Sequence, residues 1–248
     1  MKNFALRLAV LLVVALNSNL AAAYIFGPPP VTELAESGEN LDNISLFSRE
    51  ESFINTVSGS PTKFQSTGLA GVIKKGDPSG ATNFMYRLAK TNIPTDSSYD
   101  ESDFGLGIGG EWNMLSDRSL GVLANLQCDL GLISGGTSPT QYTGSTFVLG
   151  AEIGATYRLF IDKFTVAPFA MYNLYSNTTS YYYTSTAYSN FNAYRNGNSI
   201  NLGVSVITGK FNFTFTQTTS TYKYSYDIYT YTGNVNTNGT MLTVGYNY

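Results

Sequence analysis

Thr240-Met-Leu242-Thr-Val244-Gly-Tyr246-Asn-Tyr248 is the stretch that decides the fold. Read back from its end, every second residue is apolar or aromatic: Tyr248, Tyr246, Val244 and Leu242. Asn247, Gly245, Thr243 and Met241 lie between them. Side chains on a strand alternate between faces, so this spacing predicts a strand with two unlike faces. The stretch stops on an aromatic ring with no polar tail. An apolar strand left at a sheet edge invites aggregation. A closed barrel removes the edge by pairing the last strand with the first, and in lipid it also satisfies every backbone group.

The same alternation recurs upstream. Phe147, Leu149, Ala151, Ile153, Ala155, Tyr157 and Leu159 share one face, opposite Glu152, Thr156 and Arg158. Leu120, Val122, Ala124, Leu126, Cys128 and Leu130 oppose Asn125, Gln127 and Asp129, while Phe211, Phe213 and Phe215 oppose Asn212, Thr214 and Thr216. Strands are predicted at 66–73, 81–90, 103–113, 119–132, 146–160, 163–175, 199–208, 210–219 and 240–248. Most have the roughly 9–11 residues that a tilted membrane strand needs. Connections 114–118, 161–162 and 209 are short, whereas 91–102, 133–145, 176–198 and 220–239 are long. Short turns at one end and long loops at the other predict periplasmic turns and extracellular loops. The strand at 66–73 is the ninth from the end. Even strand counts in single-chain bacterial barrels then ask for one more, from 44–57. The count is ten, or eight if the first pair lies outside the wall.

The terminal alternation Val244, Tyr246, Tyr248 resembles the assembly signal of the bacterial outer-membrane β-barrel family. At the level of pattern the resemblance extends over 64–248, and the nearest groups are the small OmpA/OmpX-type and porin-like barrels. It implies an all-β, antiparallel transmembrane β-barrel in a bacterial outer membrane. The implied partners are outer-membrane lipid and lipopolysaccharide, the barrel-assembly machinery, and a ligand at the extracellular loops.

Residues 1–23 read as a secretory signal peptide. Lys2 and Arg7 precede an apolar run over 8–16, and Ala21-Ala22-Ala23 forms the cleavage site. The run is too short for a membrane helix. Residues 24–63 read as an N-terminal segment holding a linker and either a first strand or a short helix in the lumen or periplasm. Residues 64–248 read as the barrel.

The full chain has 14 basic and 17 acidic residues; without Lys2 and Arg7 the balance is 12 against 17, net −5. An acidic chain with no basic cluster argues against a nucleic-acid partner. Charged residues make up 12% of the chain, about half the usual globular share, yet no later run is apolar enough for a membrane helix. Cys128 is the only cysteine, so no internal disulfide can form.

The chain has no histidine. This excludes Ser-His and Cys-His nucleophiles, histidine acid–base work and histidine metal sites. The enzymes among the resembled barrels, including lipases, acyltransferases, deacylases and omptin proteases, rely on a histidine. The expectation is therefore a non-enzyme with no cofactor. Gly105-x-Gly107-x-x-Gly110 matches a dinucleotide fingerprint only literally, because it lies inside a strand with no helix opening from it.

Alternation turns Arg87, Glu111, Asp129, Glu152 and Arg158 inward as a lumen polar network. Glu111 and Arg158 are expected to flank Gly121 and pair across it. Tyr181-Tyr182-Tyr183 and the series Tyr222, Tyr224, Tyr226 crowd the last two long connections. Tyrosine offers large contact area at low entropic cost. Two functions follow as expectations. One is a barrel with a narrow polar lumen, either a passive ion or small-solute channel or a structural membrane protein. The other is a surface-interaction protein that binds through its Tyr, Ser, Thr and Asn-rich loops.

Overall fold

The computed structural model describes residues 38–54, 61–77, 79–138, 141–185, 190–227 and 232–248. The signal-peptide reading lies outside these residues. Eleven strand segments follow one another: β1 (Asn40–Ile54), β2 (Pro61–Asp77), β3 (Gly80–Ile93), β4 (Asp96–Asn113), β5 (Leu120–Gly135), β6 (Tyr142–Tyr157), β7 (Leu159–Ile161), β8 (Phe164–Tyr183), β9 (Phe191–Thr208), β10 (Phe211–Tyr226) and β11 (Thr232–Asn247). All neighbours pair antiparallel in one sheet, and β1 pairs with β11, which closes it. β6 and β7 are one stave interrupted at Arg158. Thr156 lies opposite Phe169 and Leu159 opposite Val166, so the register to β8 runs on unbroken. The result is a closed ten-stave barrel.

The first strand answers the parity argument. β1 occupies Asn40–Ile54, overlapping the candidate first strand at 44–57, so the wall begins within 24–63, ahead of residue 64. Its pattern is hard to read because Phe47 and Arg49 point inward while Ser48 and Glu50 point outward.

The strands are also longer than the alternation of apolar residues suggested. β8 runs for 20 residues and β9 for 18, well beyond a membrane span of about 9–11. The stretches read as long loops are mostly wall. Residues 176–183 complete β8 and 191–198 begin β9, which leaves a connection over 184–190. The opposite end is made of tight turns. Asp77 accepts from the Ser79 N–H and Oγ–H at 2.7 Å each, and Arg118 and Asp162 take left-handed φ of 58° and 52° in two further turns. We call these the loop end and the turn end.

Outside, Phe164, Tyr172 and Leu174 of β8 are exposed, and Ser176, Thr178 and Ser180 follow them toward the loop end. On β10, Phe211 and Phe213 give way to Gln217 and Thr219 in the same direction. An apolar belt with a polar upper border thus surrounds the barrel. Aromatic rings cover cross-strand glycines, with Tyr86 over Gly71 outside and Phe169 over Gly203 inside. A glycine so covered leaves the ring its place, and the ring shields the bare backbone.

Candidate functional site: the filled lumen

Inward positions of β1 to β6 carry nearly all the lumen charge, while β8, β10 and β11 line their side with Ser, Thr and Asn. The charges form three levels.

At the turn end, Glu111 of β4 sits between two cations. Its Oε2 accepts from Lys74 Nζ of β2 at 2.8 Å, and its Oε1 pairs with Arg158. The side chains of all three residues are 0–3% exposed. Arg158 Nη1 also donates to the Arg118 carbonyl at 3.0 Å, which ties the group to a turn. Gly121 makes the space: a Cβ there would lie 2.5 Å from Glu111 Oε1 and 3.1 Å from Arg158 Nη1.

This register differs from the expected one. Asn113, not Glu111, lies opposite Gly121, and Thr156, not Arg158, lies opposite it on the other side. The two charges therefore meet on a diagonal, spanned by their long side chains. Lys74 was absent from the expected network because its neighbours Lys75, Gly76 and Asp77 read as a turn. Its signal was the inward series Ala70, Val72, Lys74.

At the middle level the lateral arrangement does occur, at another glycine. Arg87 of β3 and Asp129 of β5 both lie opposite Gly105 of β4 and pair across it at 3.0 Å. A Cβ on Gly105 would run into the Asp129 carboxylate. Beside them a cavity of about 20 Å³ has room for one water. Glu152 of β6 is bound by Asn125 Nδ2 of β5 at 2.8 Å. Asn173 and Ser199 bond at 3.1 Å and Thr218 and Asn201 at 2.6 Å on the uncharged side.

The third level lies toward the loop end, where Arg49 pairs with Glu51 and Glu101 accepts from the Tyr99 hydroxyl at 2.7 Å. Above it, inward rings form a cap. Tyr181 stacks on Phe191 at 4.8 Å between centroids, with Tyr142 at 5.4 Å from Tyr181 and Tyr226 at 5.7 Å from Phe191. The alternation at Tyr222, Tyr224 and Tyr226 is thus part of the β10 wall.

The lumen is also less polar than its sequence suggests. Leu123 packs with Phe169 and Met171, Val148 with Tyr175, and Phe47 with Met241, all in the interior. Buried charge requires a partner, and Lys74, Arg87 and Arg158 find theirs within the barrel, in Glu111 and Asp129.

Val244 and Tyr246 lie on the outer face, and Tyr248 is exposed. Tyr246 meets Phe211 edge-on at 5.4 Å, with Lys210 Nζ 5.6 Å from its ring centre. Among the described residues, no group of His, Cys, Asp and Glu is arranged to hold a metal ion.

No family model and no curated protein sequence matches the chain. Its structural relatives are barrels. The outer-membrane protease OmpT of Escherichia coli is 10% identical, with 88% of this chain and 99% of that one covered and a TM-score of 0.50. The β domain of the Bordetella autotransporter BrkA is 12% identical, over 84% of this chain and 98% of that one, at 0.47. The monoaromatic hydrocarbon channel TodX, in a mutant form, is 8% identical over 92% and 96%, at 0.40. Identity this low speaks for fold alone. The chain is an all-β protein with the closed antiparallel fold of the bacterial outer-membrane β-barrels.

Proposed function

We propose that this protein is a non-enzymatic, structural barrel of the bacterial outer membrane, closed in its resting form, that presents its loop end to the outside. The observation that carries the reading is the filled cross-section. Arg158, Lys74, Leu123, Met171, Met241 and Val148 are each under 2% or at 2% exposure although they line the interior of a barrel. A water-wide path along the axis would leave such residues wetted. Slow solute passage thus requires the interior to rearrange, and the closed barrel is the simpler reading.

Placement in the outer membrane is supported by the apolar outer belt and its polar border, which match what lipid demands of a barrel surface. The non-enzymatic reading rests on the absence of histidine from the whole chain and on the commitment of the Glu111, Asp129 and Glu152 carboxylates to internal partners. Wall strands that outrun the belt lift the Tyr, Ser, Thr and Asn-rich end clear of the membrane. Contacts with lipopolysaccharide or an external ligand belong to that end and to the connections above it, while lipid and the assembly machinery meet the outer face.

Single cysteines in a Cys128→Ser background test the topology. At Thr184, in the connection after β8, a membrane-impermeant maleimide should label intact cells. At Asp117, in the turn after β4, it should label only permeabilised cells. Labelling in the opposite order, or absence of the protein from the outer-membrane fraction, would overturn the proposal.

A further inference from the structure

Beneath the aromatic cap lies a cavity of about 90 Å³, roughly three waters in volume. Its wall is amphoteric. Arg49, Arg87 and Arg195 face it, as do Glu51, Glu101 and Asp103. Two of these cations have internal counter-charges, since Arg49 pairs with Glu51 and Arg87 with Asp129. Arg195 of β9 enters from the far wall, in electrostatic reach of Tyr99, Tyr181, Tyr222, Glu51 and Glu101. On the other side are Glu101 and Asp103, inward neighbours on β4.

Three further wall atoms are independent of the charge cluster or incompletely used by it. Asp103 Oδ1, Asn177 Nδ2 and Thr237 Oγ1 are buried and have no hydrogen-bond partner. Their residues are 6%, 2% and 3% exposed. They come from three different strands, β4, β8 and β11, and all border the same cavity. One is a carboxyl oxygen, one an amide donor, and one a hydroxyl that serves either way. Buried polar groups in folded proteins are generally satisfied. Orphaned atoms occur elsewhere in this lumen, as at Asn83, Thr216 and Thr243, but here three border one open space, and an occupant that hydrogen-bonds in both directions satisfies all of them.

We infer that this cavity is a binding site for a small zwitterion of amino-acid size. A simple anion would face Asp103 and Glu101, and a simple cation would face Arg195. A molecule carrying both poles satisfies both walls at once: its ammonium donates to Asp103, and its carboxylate accepts from Arg195 and Asn177. Tyr99, Tyr175 and Tyr222 add aromatic surface to the lining, which suits an ammonium with a short apolar stem. The volume limits the molecule to about the size of glycine or alanine. This inference goes beyond the closed-barrel reading and does not depend on which way the barrel faces.

The test uses the full barrel folded in detergent and equilibrium dialysis with labelled alanine, competed by glycine, methylamine, acetate and glycerol. Saturable alanine binding is expected, with each single-pole competitor weaker than glycine. Asp103→Asn and Arg195→Gln should each raise the dissociation constant about tenfold, the loss of one charge-assisted contact. Thr237→Leu should abolish binding by filling the space from the uncharged side, with heat-modifiable gel mobility retained as the sign of folding. Absence of saturable binding to the folded wild type would overturn the inference. So would glycerol competing as well as glycine, or affinity unchanged in all three variants.

Discussion

Replacing Glu111 by Gln removes the only anion of the turn-end group and leaves two buried cations facing each other. The Lys74 contact alone, at 2.8 Å, is worth about 6 kcal/mol of gross Coulomb energy at an effective dielectric near 20. The desolvation already spent on burying the charges offsets much of that, so the net cost of breaking such a group is about 3–5 kcal/mol. Arg158→Gln is milder, because Lys74 and Glu111 remain as a neutral pair, and should cost about 1–3 kcal/mol. The measurement is a double-mutant cycle by equilibrium urea titration of the barrel in lipid vesicles. Glu111→Gln should be the most damaging single change, with a coupling to Arg158→Gln above about 1 kcal/mol. Gly121→Leu should weaken the same coupling, because even its Cβ would crowd the Glu111 carboxylate and the Arg158 guanidinium. Additive single-mutant effects, or a larger cost for Arg158→Gln than for Glu111→Gln, would refute the three-membered arrangement.

Further outcomes follow from other parts of the barrel. Ile153→Arg, on the exposed outer belt, should cost about 2–4 kcal/mol if it sits near the bilayer midplane, whereas Thr219→Arg, past the belt on β10, should cost about 0–1 kcal/mol. Equal costs in a vesicle unfolding assay would erase the belt. Thr156→Arg is not a tolerated counterpart despite facing inward, because Thr156 is 1% exposed in a lumen already holding Arg158; refolding yield should fall sharply. Asp162→Gly should be neutral or stabilising and Asp162→Val destabilising by about 1–2 kcal/mol, since φ is 52° there; the reverse order in melting curves would remove the turn strain. In the exposed turn before β5, the Ser119 N–H and Oγ–H hold the Asp117 carboxyl below its usual range. That support is full above about pH 3.9 and is lost as pH falls through the lowered folded value, so exchange of the Ser119 amide should gain an extra acceleration there that Asp117→Asn abolishes.

Much of this architecture was legible because lipid-facing and lumen-facing residues must differ. Where the outer face is a run such as Phe147, Leu149, Ala151 and Ile153, the alternation marks both the strand and its orientation. It fails above the belt. Residues 176–183 and 191–198 carry Ser, Thr, Asn and Tyr on both faces, so nothing in their pattern separates wall from loop. β1 was obscured for the same reason, with Glu50 outside and Phe47 inside. The lumen charges were recognisable by parity, and so was the Glu111–Arg158 pair, but neither the register that joins it nor Lys74 as its third member was. Pairing depends on inter-strand register, and a two-residue shift moved Gly121 from between Glu111 and Arg158 to a place beneath their diagonal. Lys74 lay in a segment read as a turn, and Arg49 in a first strand whose pattern fits neither period well.

The central claim is that the resting barrel is closed by its own side chains. Single-channel recording of the purified wild-type protein in a planar bilayer tests it directly. The filled lumen predicts a baseline without resolved conductance steps, and steps appearing when Glu111→Gln and Arg158→Gln unlock the turn end. Stable ohmic steps from the unmodified protein would contradict the account.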